Sequence, residues 1–201
     1  MNRQPDDSED YKAFTIELWA DENPENPREW SNLGKMVCFH RQYDLGDKHN
    51  LSIEDVHELT SRGDVLWLPL YLYDHSGITM RTGSFNDPWD SGQVGIIYVD
   101  YATIRKEYKR VTKSTKARVF SVLENEVEIY DAYITGAVVG YIVKDERGEE
   151  VDSCWGFFIT SSHWRKDKEH VLSEARFYID YTLKERAKET AHVEQFFNLN
   201  P

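Results

Sequence analysis

Hydrophobic positions fall into short runs separated by polar turns, and the two densest runs enclose a loop rich in reactive side chains. Val65 to Tyr73 is branched and aromatic with Pro69 inside it, which predicts a strand at a sheet edge or one interrupted by a bulge, because proline cannot donate to a ladder. Val94 to Val99 is a second, β-branched run, reached through Pro88-Trp89-Asp90-Ser91-Gly92-Gln93, a turn-forming stretch. If the runs pair, the polar clusters that end the first and precede the second lie at one end of a sheet, where loops aim side chains that strands hold rigid. Gly92 and Gly95 flank the start of the second strand, and bulky replacements at either are expected to destabilise the domain.

The rest of the pattern is read the same way. Alternation over Phe14 to Trp19 predicts a half-buried strand, and Lys35 to Arg41 a second. Ser52, followed by Glu54 and Asp55, marks the N-cap of a helix to about Ser61. Tyr101 to Tyr108 reads as one or two helical turns. Val119, Leu123, Val127, Tyr130 and Ile134 recur at spacings of three and four and predict a helix over Thr115 to Tyr133, ended by Gly136. Ala137 to Lys144 and Glu149 to Ile159, joined through Asp145-Glu146-Arg147-Gly148, form the clearest hairpin. From Lys166 to about Phe197 the chain predicts one amphipathic helix with Val171, Ala175, Tyr178, Ile179, Leu183 and Ala187 on its apolar stripe. Residues 1–10 are polar and acidic and are expected to be a disordered lead-in to a single domain over 11–201. This order defines an α+β fold, helices covering one face of a largely antiparallel sheet and a long helix at the C-terminus.

Composition narrows the class. A 201-residue chain with six tryptophans, twelve tyrosines and nine phenylalanines can bury a substantial core. Its formal charge of −12 disfavours nucleic acid and anionic membranes, because neutralising phosphates takes lysine and arginine, and it favours a partner with a basic surface. Two cysteines do not make a disulfide scaffold, and no apolar run approaches the ~20 residues of a membrane helix. The N-terminus lacks the apolar stretch of a secretory signal, so a cytoplasmic protein is expected.

The segments YLYDHSGITM, from Tyr71 to Met80, and PWDSGQVG, from Pro88 to Gly95, followed by a Tyr-Val strand, resemble a family of small proteins encoded by bacteriophages and other mobile elements. The resemblance extends to Pro27-Arg28-Glu29-Trp30, Met36-Val37-Cys38-Phe39-His40-Arg41, Leu45-Gly46-Asp47-Lys48-His49, Arg105-Lys106-Glu107-Tyr108 and Asp152-Ser153-Cys154-Trp155-Gly156-Phe157. Two departures stand out: a shorter segment between His49 and Val65, and a charged stretch after Phe158 that is peculiar to this chain. The resemblance implies an accessory protein that binds a macromolecule, with host defence machinery as the target class.

Candidate chemistry sits mainly in the central loop. Asp74, His75, Ser76, Asp90 and Ser91 include the types a hydrolase or nuclease needs, since a histidine oriented by a carboxylate can take a proton from serine or water, with or without a divalent metal. The same residues also suit a purely architectural role, Asp74 and Ser76 capping turn backbone beside Gly77, Gly92 and Gly95. No nucleophile elbow, phosphate loop or helical pair of metal-binding histidines occurs. Trp67, Tyr73 and Trp89, with Gln93, are the candidate binding residues, and stacking on them is the basis of a nucleotide-binding alternative that lacks a basic phosphate cradle. Cys38 and His40 point to one strand face and could hold a metal with Asp47 and His49, or be a buried cysteine beside a hydrogen-bonded histidine. No cofactor or resident metal is expected.

Overall fold

The computed structural model describes residues 4–199. The chain is α+β, with eight strands in two antiparallel four-stranded sheets, four α-helices and a short 3-10 turn among the described residues. Backbone contacts divide the chain into two compact units.

The first unit joins the N-terminal segment to Val138–Ile159 and to the C-terminal stretch from His163. Its strands are β1 (Asp7–Tyr11), β2 (Phe14–Ala20), β7 (Val138–Lys144) and β8 (Glu150–Phe158), in the order β1-β2-β7-β8. Helix α4 (Trp164–Leu199) packs Val171, Leu172, Ala175 and Ile179 on Phe14, Ile16, Leu18, Tyr141 and Val143. β1 lies inside the segment expected to be a disordered lead-in. Its acidic residues are ordered because alternate ones reach cations of α4: Arg176 donates to Glu9 through Nε at 2.8 Å and Nη2 at 2.6 Å, and Lys168 pairs with Asp7. These contacts hold both carboxyls below the usual carboxylate range.

The second unit spans Glu25–Ala137 with Thr160–Ser162. Its strands are β3 (Lys35–Cys38), β4 (Val65–Asp74), β5 (Ile78–Arg81) and β6 (Ser91–Asp100), in the order β3-β6-β4-β5. The expected pairing of the two central runs is present: Val65 faces Asp100 and Tyr73 faces Ser91, with one register shift beside Leu70. Pro69 is tolerated where it stands, because β5 pairs only with Tyr71–Asp74 and leaves that stretch of β4 without a second neighbour. Helices α2 (Tyr101–Tyr108) and α3 (Lys113–Ile134) bury Ile104, Val119, Leu123, Val127 and Tyr130 against Met36, Leu70, Leu72, Met80 and Ile97. Helix α1 (Ile53–Ser61) starts at the expected cap: Ser52 Oγ accepts from Asp55 N–H at 3.1 Å, while Asp55 accepts from Ser52 N–H at 2.7 Å.

The two glycines of β6 differ sharply. A Cβ on Gly95 would overlap the Val37 carbonyl oxygen and stand 2.9 Å from Cys38 Cα, whereas one on Gly92 would meet nothing within 4 Å. The expectation that a side chain at Gly92 is destabilising is therefore corrected, and only Gly95 marks a close approach of two backbones.

Candidate functional site

The loop end of the β3-β6-β4-β5 sheet is built by two turns. The first, Asp74 to Gly77, closes the β4–β5 hairpin: His75 N–H donates to Gly77 O at 3.1 Å, and Ser76 adopts a left-handed φ of 59° with Gly77 at 148°. Ser76 therefore serves the turn. The second runs from Asp87 to Ser91, where Asp87 Oδ1 accepts from the N–H groups of Trp89 (2.9 Å) and Asp90 (3.2 Å), and Ser91 Oγ donates to the Asp87 carbonyl. Asp74 N–H donates to Asp90 O at 2.8 Å and ties the turns together.

This folding brings His75 and Asp90 into contact, Nδ1 to Oδ2 at 2.8 Å, with side chains 62% and 38% exposed. Asp74 lies beside them with its Oδ1 3.5 Å from the Tyr43 hydroxyl, at the limit of a hydrogen bond. Tyr73 packs near both His75 and Phe85, at ring separations of 6.1 and 5.6 Å. Trp89 projects from the second turn, 92% exposed. An oriented histidine is thus present, but Ser91 spends its hydroxyl on a backbone carbonyl and Ser76 sits in the turn, so the serine-nucleophile arrangement is not assembled.

The remaining candidates lie elsewhere. Trp67 is six residues back along β4 opposite Tyr98, roughly 20 Å from Tyr73 at the rise of a strand. Gln93 donates to Gly95 O at 3.3 Å and lines a groove with Ile53, Val56 and His57 of α1. Tyr73 and Trp89 share the loop end, while Trp67 and Gln93 do not.

The Cys38 segment follows the architectural alternative. Cys38 is buried and its thiol is pushed up to about 12 by burial, which favours the neutral thiol. His49 Nε2 bonds the Cys38 carbonyl at 3.0 Å, and His40 Nδ1 accepts from the Gln42 and Tyr43 N–H groups, each at 3.2 Å. Among the described residues no group of three or more His, Cys, Asp or Glu side chains converges on a common point.

Asp47, the other member of that set, belongs to a cluster that periodicity could not reveal. Arg28, its side chain 3% exposed, makes a two-pronged contact with Asp47 (2.8 and 2.9 Å), reaches Glu126 at 3.3 Å and donates to Gly34 O at 2.7 Å. Asp47 also accepts from Met36 N–H and Glu126 from Leu33 N–H, at 2.8 and 2.7 Å. Every prong is satisfied inside the fold, so the cluster fastens the Pro27–Glu29 turn, β3 and α3 together. A buried arginine, with an acidic residue after a glycine nineteen positions on, was its only sequence trace.

No protein-family model, no curated protein and no solved structure matches the chain. No helix among the described residues is long and apolar enough to cross a membrane.

Proposed function

We propose that this chain is an accessory protein of a bacteriophage or mobile element that works in the host cytoplasm by binding a host macromolecule with a basic surface, within the machinery of host defence. The observation that carries binding over catalysis is Trp89. A tryptophan left 92% exposed contributes nothing to the core, yet the turn beneath it is fastened by the Asp87 and Asp90 bonds described above. A rigid loop presenting a large aromatic loses little conformational entropy on association, and tryptophan dominates interface hot spots. The charge of −12 supports a basic partner by steering encounter. The choice of host defence rests on the resemblance alone.

Trp89→Ala tests this reading. Its melting curve should match the parent, while a host protein retained by the parent from lysate should be lost, an affinity drop of roughly thirtyfold or more for a hot-spot tryptophan. High salt should release the same protein. Equal retention by the variant would refute the reading. A hydrolase in which Asp90 orients His75 to activate water is the second reading, supported by their 2.8 Å contact. It requires that His75→Ala, rather than Trp89→Ala, abolish the biological effect in folded protein.

A further inference from the structure

A strongly basic stretch lies inside this acidic chain, away from the surface around Trp89. Residues 105–118 carry seven lysines and arginines against one acid, Glu107, while the rest of the chain carries 17 basic and 35 acidic residues. Net charge averages over this segment, and exposed charges more than about 8 Å away are screened at physiological ionic strength. The stretch begins in α2, which starts at the Asp100 end of β6, whereas Trp89 precedes the Ser91 end. The ten residues of β6 put roughly 30 Å between those ends.

The cations gather where two helices meet. Arg105 and Lys106 lie in the last turn of α2, Lys109 and Arg110 follow it, and Lys113, Lys116 and Arg118 open α3. The Arg105 guanidinium and the Lys116 ammonium stand 5.9 and 4.9 Å from the centre of the same Tyr101 ring, so both helices bring positive charge to one place. Six of the seven cations are exposed, and Lys116 is half-buried. Among the described residues none of the seven forms an ion pair, although Arg28, Arg62, Lys144 and Arg176 of the same chain each hold a carboxylate. The nearby acids are engaged: Asp64, which also feels Arg105, is held by Arg62 at 2.9 Å, and Asp100 caps α2 by accepting from Thr103 N–H at 2.7 Å. Glu107 lies two helical steps, about 200°, around α2 from Arg105. No acid occupies the first turn of α3, so an anion drawn there meets the lysines and the positive end of the helix dipole together.

The surface chemistry selects the partner. Besides its cations the segment exposes Thr112 and Ser114, and it has no large exposed apolar side chain. Protein interfaces centre on apolar and aromatic residues and are poor in lysine, and binding of single strands stacks bases on aromatic rings. Lysine, arginine, serine, threonine and helix N-termini are the groups that contact DNA phosphates. Readers of double-stranded RNA span about 16 base pairs across two minor grooves, more than one helix junction covers.

We propose that residues 105–118 bind the phosphate backbone of double-stranded DNA without regard to sequence. The test uses the full chain and a fluorescein-labelled duplex of about 20 base pairs, followed by anisotropy between roughly 50 and 200 mM NaCl. Binding should saturate and weaken steeply with salt, the logarithm of the affinity falling by about 0.9 per phosphate neutralised for each tenfold rise. Lys106→Gln, Arg110→Gln and Lys113→Gln combined should weaken binding about tenfold or more at the lower salt and reduce the salt slope by about 3. Lys166→Gln, Lys184→Gln and Arg186→Gln combined remove the same charge from exposed positions of α4 and should bind like the parent. The assay needs no host protein, so its outcome is independent of the pull-down that tests Trp89. The proposal is overturned if the duplex does not saturate, if the folded segment variant binds like the parent, or if the α4 variant weakens as much. Tighter binding of an RNA duplex or of phosphatidylglycerol vesicles overturns it as well. So does sedimentation equilibrium showing parent dimers that the segment variant dissociates, which would make a second, acidic copy the occupant.

Discussion

Gly95→Ala places one methyl group where β6 runs against β3. The new Cβ would overlap the Val37 carbonyl oxygen and stand 2.9 Å from both Val37 C and Cys38 Cα. These are backbone atoms, so no rotamer change relieves the overlap, and the strands must separate by about an ångström to restore ordinary contact. Separation strains the Cys38–Gly95 pairing and the bond from Phe39 N–H to Val94 O, now 2.7 Å. It also loosens Met36 and Val37, which are almost wholly buried. Overpacking costs about 1–3 kcal/mol and each weakened ladder bond about 1 kcal/mol, so a loss of about 3 kcal/mol is expected. For a chain of this length that is a fall of roughly 6–12 °C in Tm. Gly92→Ala is the internal control: it meets nothing within 4 Å and should stay within about 0.5 kcal/mol of the parent. Urea melts followed by far-UV circular dichroism compare the two. A Gly95→Ala midpoint matching the parent, or equal losses at both sites, would falsify the close-approach argument.

Substitutions at two positions, Arg28 and Asp131, probe the buried charges of the second unit. Arg28→Met should destabilise it by about 3–5 kcal/mol in chemical denaturation, because it strands Asp47 and Glu126 without their cation; Arg28→Lys, which keeps the charge but not the fork, should fall between, and a Lys variant equal to Met would refute the role of the two-pronged geometry. Burial raises the Asp131 carboxyl above its ordinary value although Met80 N–H and Thr79 Oγ1 donate to it at 2.7 and 2.8 Å. Its contribution is then fully present below the unfolded value and lost as pH rises through the folded one, so the stability of the parent relative to Asp131→Asn should decline as pH rises from below the ordinary carboxylate range and must not rise.

What the sequence disclosed depended on whether a signal was local. Ser52, Gly136 and the Val119–Leu123–Val127–Tyr130 stripe act within one element, and the elements they mark are where they were expected. β5 escaped because four residues after Asp74-His75-Ser76-Gly77 give too short a pattern, and because those four residues drew attention as chemistry when their backbone forms a hairpin turn. β1 escaped because its acids read as a solvated tail, and their partners Lys168 and Arg176 lie some 160 positions away. The pairing of β2 with β7 was hidden for the same reason, since the two become neighbours only in the fold. Of the candidate site, residue types were legible and convergence was not: His75 meets Asp90, but Trp67 and Gln93 fall elsewhere on the sheet.

The segments that suggested kinship with mobile-element proteins acquire physical roles once folded. Pro27-Arg28-Glu29-Trp30 and Leu45-Gly46-Asp47-Lys48-His49 meet in the Arg28–Asp47 contact, and Gly46, at a φ of 75°, lets Asp47 N–H return to Met36 O at 2.8 Å while its carboxylate turns inward. Their unusual composition is accounted for by one buried ion cluster, without any appeal to catalysis. The Asp152-to-Phe157 segment is different. Its bulge and its left-handed Gly156 break the register of β8, leaving Trp155 and Cys154 exposed while Phe157 packs against the core beside Tyr141. The bulge thus lets one strand lay the Trp155 indole on Gly140 and still return Phe157 to the packed face, which a regular ladder of alternating side chains could not do at that spacing.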